Sequence, residues 1–175
     1  PTAGTITING ETFSGLTPAL AREKGVAVVY QEFTLVPVLT AAENIFMGNF
    51  RKKGVMIDRK AMYDEAAKIF ERMGIQLDPR SKVQDLTTGY QQIVEIAKAI
   101  SYNAKILIMD EPSAPLTTNE VDAMMEIVRT LKKEGVTIIY ISHRMDEIFE
   151  LADRVSVLRD GEYIGTKDIG DNDND

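Results

Sequence analysis

The stretch Lys105-Ile106-Leu107-Ile108-Met109-Asp110-Glu111-Pro112 limits what this chain can fold into more than any other. Its four consecutive apolar residues, with no polar alternation, predict a strand buried on both faces, the kind a parallel sheet requires. Pro112 ends the strand because it has no N–H to give to a ladder. Asp110 and Glu111 stand at the C-terminal end, where open α/β sheets bind their ligands. Successive strand side chains point opposite ways, so the two carboxylates cannot share one task. On this stretch alone two readings stay open: a core strand running into a polar loop, or an acidic ligand site.

Two more runs have the same character, Val26-Ala27-Val28-Val29-Tyr30 and Val136-Thr137-Ile138-Ile139-Tyr140-Ile141. Helical signals separate them. Thr17-Pro18 opens a short helix closed by Gly25, and Thr40-Ala41-Ala42-Glu43 is a capping box. Asp58 can cap a helix with apolar residues at Met62, Ala66, Ile69, Phe70 and Met73, stopped by Gly74. Thr117 to Glu120 boxes the start of another, ending at Gly135. Buried strands alternating with helices imply an α/β fold with a mostly parallel sheet. Into it is inserted an all-helical stretch, residues 40–102, so that residues 1–39 and 103–169 form the core. Asn9-Gly10 predicts a hairpin near the start, and Asp160-Gly161 a turn near the end. Residues 170–175 are acidic and have no apolar anchor, which reads as a disordered tail.

Composition excludes several classes of function. A chain of 175 residues supports one domain with a real core. A net charge of −7 argues against a nucleic-acid partner, which would need a basic face. There is no cysteine, hence no disulfide framework and no thiolate metal site. No apolar run approaches the roughly 18 residues that span a bilayer, so direct membrane insertion is not expected.

Four motifs in order carry a resemblance: Gln31 after a strand, Leu86-Thr87-Thr88-Gly89-Tyr90-Gln91-Gln92 opening a helix, Asp110-Glu111-Pro112, and Ser142-His143. Together they resemble the Q-loop, signature, Walker B strand and H-loop of an ATP-binding cassette (ABC) transporter ATPase, a P-loop NTPase-like fold. Each motif alone is weak; the ordered set is specific and spans Thr5 to about Lys167. The wording of residues 38–48 and 94–100 is similar to the bacterial monosaccharide importers of the ribose, galactose and xylose type, specifically the first of their two cassettes.

The resemblance implies ATP and Mg²⁺ as ligands and ATP hydrolysis coupled to sugar import. It implies that Asp110 serves the metal, that Glu111 polarises the attacking water and that His143 reaches the γ-phosphate. Gln31 would meet both metal and water and couple to the membrane subunit. Leu86, Thr87, Thr88, Gly89, Tyr90 and Gln91 would form the signature face, with the Gly89 amide at a helix start suited to a phosphate. The implied partners are a second cassette and transmembrane permease subunits, on the inner face of the cell membrane. The apolar set Phe33, Leu35, Val36 and Val38 is expected on the surface as the permease contact.

The sequence also departs from the family. It contains no Gly-x-x-x-x-Gly-Lys-[Ser/Thr], the loop that cradles phosphates. The family carries that loop ahead of a segment like Gly4 to Asn9, so roughly 30 residues or more of strand, loop and helix are expected to be missing, and the chain alone is expected to be inactive. Their loss is expected to leave an exposed apolar patch on the sheet. Thr87 stands for Ser, Thr88 for Gly and Tyr90 for Gln in the signature; Thr117 replaces an Asp. The alternative reading is a non-catalytic module that only supplies a signature or docking surface.

Overall fold

The computed structural model describes residues 3–169, so the acidic tail lies outside the described residues. The chain opens on a hairpin of β1 (Ile6–Ile8) and β2 (Glu11–Phe13). Asn9 and Gly10 both take positive φ there (49° and 83°), which matches the twist of a two-residue turn. Helix α1 (Pro18–Glu23) follows, with the Thr17 hydroxyl accepting the Leu20 N–H and Pro18 in the first turn. It leads into strand β3 (Val26–Val29).

Helix α2 (Ala41–Ile45) begins at the capping box read from Thr40 and Glu43. Glu43 accepts from the Thr40 N–H at 3.0 Å, while Thr40 Oγ accepts from the Glu43 N–H at 3.2 Å. Asp58 caps α3 (Arg59–Arg72), a 3₁₀ turn covers Val83–Asp85, and α4 runs over Thr88–Ser101. The expectation that residues 40–102 are helical throughout needs one amendment. A short antiparallel hairpin, β4 (Lys52–Lys53) and β5 (Met56–Ile57), lies between α2 and α3. Its signal is only Gly54, at φ 65°, between exposed residues with no apolar alternation.

Strand β6 (Ile106–Asp110), helix α5 (Thr118–Lys133), strand β7 (Thr137–Ile141) and helix α6 (Met145–Leu151) complete the core. A last antiparallel pair, β8 (Arg154–Arg159) and β9 (Glu162–Asp168), turns at Asp160-Gly161. Strands β3, β6 and β7 form a parallel sheet in that order. Its register aligns Ala27, Leu107 and Ile138 on one face, with Val29, Met109 and Tyr140 beside them. That face packs on α4 and α5 in one apolar cluster, which also includes Ile45, Phe46, Met62 and Phe70 from the inserted helices. The other face carries Val28, Ile108 and Ile139, and it is open: Val28 and Ile139 are 37% and 47% exposed. The expectation of strands buried on both faces is therefore corrected. Strands β6 and β7 alternate between a buried and a more exposed face, and on β3 Val29 is buried while Val28 is exposed. The expected exposed apolar patch is this open face.

Candidate functional site

A parallel sheet puts all its strand C-termini at one edge, and the register sets what meets there. Val29 pairs with Met109, and Asp110 with Ile141. Gln31, Asp110-Glu111 and His143 are therefore delivered to neighbouring positions along that edge, in strand order. Gln31 sits exposed in a bend just past β3. Asp110 continues the open-face row of Ile106 and Ile108, half-buried. Its carboxylate makes no hydrogen bond or ion pair among the described residues. No group of three or more His, Cys, Asp or Glu side chains able to hold a metal occurs among them. A single unpartnered carboxylate suits Mg²⁺, which takes one or two carboxylates and completes its shell with phosphate oxygens and water.

Glu111 turns away from its neighbour and meets His143. The imidazole Nδ1 lies 2.9 and 3.0 Å from the two carboxylate oxygens of Glu111. An ionised carboxylate only accepts, so Nδ1 carries the proton and Nε2 is left facing outward. The turn that produces this contact is strained. Glu111 has φ 46°, a left-handed conformation that a non-glycine residue holds at about 1–3 kcal/mol. Its N–H donates to the Ile141 carbonyl at 2.9 Å, and its carbonyl accepts from Ala114 at 3.2 Å. Backbone contacts on both sides thus fix the bend.

The signature segment forms a second group. Thr87 caps α4, and Tyr90 lies outward at its first turn. Leu86 is half-buried against the core, and Thr88 is half-buried. Gln91 is directed inward: its amide donates to the carbonyls of Leu86 (3.1 Å) and Val83 (3.3 Å). The Gly89 N–H is already bonded, donating to Glu120 Oε1 at 3.0 Å, and the Thr87 hydroxyl reaches the same oxygen at 3.2 Å. Glu120 Oε2 accepts from the Thr117 N–H and hydroxyl. Led by the Thr117 N–H, these donors hold the Glu120 carboxyl below its ordinary value of 4.5. A carboxylate therefore occupies the helix start where a phosphate is expected. No hydrogen bond joins this group to the Glu111–His143 pair among the described residues.

The loop after Gln31 is more built than its sequence suggests. Asn44, fully buried on α2, accepts from the Val36 N–H (2.7 Å) and donates to the Val36 and Thr40 carbonyls (both 3.0 Å). Glu95, buried on α4, accepts from the Thr34 N–H (2.5 Å) and hydroxyl (2.8 Å). Pinned this way, Leu35 packs on the core, and Phe33 and Val36 are half-buried. Only Val38, 64% exposed, stands out as the surface reading of the four apolar residues required. Sequence reasoning missed Asn44, Glu95 and Glu120, which hold the loop after β3 and the start of α4. A signal existed for Asn44 and Glu95, each a polar residue set into an apolar helical stripe.

Residues 1–114 match the ABC transporter family. The ribose import ATP-binding protein RbsA of Geobacillus kaustophilus (strain HTA426) is 49% identical over 168 residues, 95% of this chain and 34% of that protein. The galactose/methyl galactoside import ATP-binding protein MglA of Clostridium perfringens (strain 13 / Type A) is 44% identical over 171 residues, 98% of this chain and 33% of that one. The xylose import ATP-binding protein XylG of Geobacillus kaustophilus (strain HTA426) is 49% identical over 149 residues, 85% of this chain and 30% of its own length. The chain thus spans about a third of the length of these relatives. Among solved structures, the dimeric post-hydrolysis state of the ATP-binding cassette MJ0796 bound to ADP and Pi superposes with a TM-score of 0.79 at 24% identity, covering 97% of this chain and 75% of that one. The ADP conformation of the cassette MJ1267 gives 0.78 at 24% identity, covering 91% and 67%.

Proposed function

The chain belongs to the ABC transporter family, and from that premise we propose that it is part of an ATPase that drives sugar import. The observation that carries this reading is the Glu111–His143 contact at the C-terminal strand edge, beside an unpartnered Asp110. The names of the relatives, ribose, galactose and xylose import proteins, support the substrate class.

In this reading ATP lies across the strand edge with its γ-phosphate near His143. Glu111 takes a proton from the attacking water, the role of a general base. His143 gives Nδ1–H to Glu111, so in the imidazolium form Nε2–H is free to donate to the γ-phosphate. Asp110 and Gln31 would hold Mg²⁺, which when bound neutralises charge developing on the phosphates. The signature residues Leu86 to Gln91 would face the phosphates of a second cassette, with Gly89 N–H as donor once Glu120 has moved aside. Val38 and the pinned loop behind it offer the contact for a permease subunit. Among the described residues no helix is long and apolar enough to cross a membrane.

Steady-state ATP hydrolysis by the complete protein carrying this sequence tests the reading. Glu111→Gln should lower turnover by about 10²-fold or more while leaving nucleotide binding intact. The 175 residues alone, which contain no Gly-x-x-x-x-Gly-Lys-[Ser/Thr], should bind ATP weakly and not turn it over. Turnover unchanged by Glu111→Gln would contradict the assignment.

A further inference from the structure

Behind the Glu111–His143 pair stands a buried acid that the reaction itself does not use. Glu147, on α6, is 3% exposed. Its Oε2 accepts from Ser113 Oγ at 2.8 Å and from the Tyr140 hydroxyl at 2.7 Å, with Ser142 Oγ at 3.4 Å. Its Oε1 lies 2.9 Å from Arg144 Nη1, at ion-pair distance but not aligned as a hydrogen bond. Burial, and then the bond to Glu147, push the Tyr140 phenol well above its usual range, so it remains a donor.

The positions of these donors matter more than their number. Ser113 is two residues beyond Glu111 and follows directly on Pro112, in the loop that holds the strained turn. Ser142 immediately precedes His143, and its Oγ also accepts from the Arg144 N–H at 3.0 Å. Tyr140 is the last inward-facing residue of β7 before His143. One carboxylate therefore ties the loop after β6 to the loop after β7. These are the two loops that must stay in register for Glu111 and His143 to meet. An acid placed only to complement the N-terminus of α6 would not need burial; Asp146, next to it in the first turn, does that from the surface.

Resting on the catalytic reading of Glu111 and His143, we propose that Glu147 is a positioning residue: it holds the two loops together so that the Glu111 carboxylate stays on His143 Nδ1. It touches neither substrate nor water. Its removal should act by releasing His143 and by letting Glu111 leave its left-handed turn.

His143 is the only histidine in these 175 residues, so in the complete protein, ¹⁵N-labelled over this segment alone, its ring nitrogens give one unambiguous set of resonances. Glu111→Gln supplies the reference for an Nδ1 that has lost its carboxylate. In Glu147→Gln, with helix content unchanged, the Nδ1 resonance should move from the wild-type position toward that reference. In the complete protein, kcat should fall about tenfold or more, with KM for ATP within about twofold. If Glu147→Gln does not fold, Ser113→Ala combined with Tyr140→Phe removes the two short bonds and is read the same way. An Nδ1 resonance that stays at the wild-type position overturns the proposal, as does one that moves without a fall in kcat. A wild-type protein that hydrolyses no ATP would instead sink the ATPase reading, and the resonance would still decide whether Glu147 holds the pair.

Discussion

Glu111 is where backbone and chemistry conflict, since a β-strand end would leave it extended and the contact with His143 requires φ near 46°. Glycine adopts that conformation freely. Glu111→Gly should therefore raise stability by up to about 1 kcal/mol in urea unfolding while removing the proposed base, the trade seen where strain serves a site. Glu120 gives a second residue-level test. Its carboxyl is held low by the Thr117 N–H first, then by the Thr117 hydroxyl and the Gly89 N–H. A depressed folded value contributes stability that is fully present above the unfolded value and lost as pH falls through the folded one. As pH falls through and below the ordinary glutamate range, then, wild type should lose an increment that Glu120→Gln lacks at every pH. Gly89→Ala places a Cβ 2.7 Å from Glu120 Cγ and Oε1, so it should remove the part of that increment that the Gly89 N–H supplies, and the double variant should lose no more than Glu120→Gln alone. Additive losses in the double variant would show that Gly89 and Glu120 are not coupled.

At the scale of elements, helix starts govern how the inserted segment joins the sheet. Helix α2 has only five residues, and four of them are buried, so its placement depends on Thr40 and Glu43. Thr40→Ala should lower stability by about 1 kcal/mol, and Thr40→Ser should restore most of it; an unchanged urea midpoint for Thr40→Ala would contradict the role given to the capping box. This part was legible in advance. The boxes at Thr40-Glu43 and Thr117-Glu120, the Asp58 cap and the Asn9-Gly10 turn are local chemistry, fixed by residues no more than three apart. The hairpin at Lys52 to Ile57 was not legible, because its side chains are exposed and carry no period. Nor was the inward turn of Gln91, which depends on where the Val83 and Leu86 carbonyls lie after folding. For the site, the order of motifs named Asp110, Glu111 and His143. It could not reveal that Glu111 and His143 touch, or that Glu147 stands behind them, since both facts come from strand register across more than 30 residues.

At the scale of the whole molecule, the three-stranded sheet is covered on one face and open on the other. Apolar runs identify a sheet strand, but not how many neighbours or helices cover it, so two-sided burial was a reasonable and incorrect expectation. The outer edge of β7 has no strand partner among the described residues, and Ile139 and Ile141 on that strand stand exposed. Open edges and apolar patches pair with other copies, so the 175-residue chain alone should associate as its concentration rises. Ile139→Lys should suppress that association in light scattering; a wild-type monomer at high concentration would contradict it. If this chain is part of an ATPase that drives sugar import, as proposed, sugar uptake into vesicles must depend on its Glu111. Vesicles bearing the complete transporter should accumulate ribose, galactose or xylose when ATP is supplied on the cassette side, and Glu111→Gln should abolish uptake while ATP still binds. Uptake that is indifferent to Glu111→Gln, or no ATP-driven accumulation of any of the three sugars, would contradict the account.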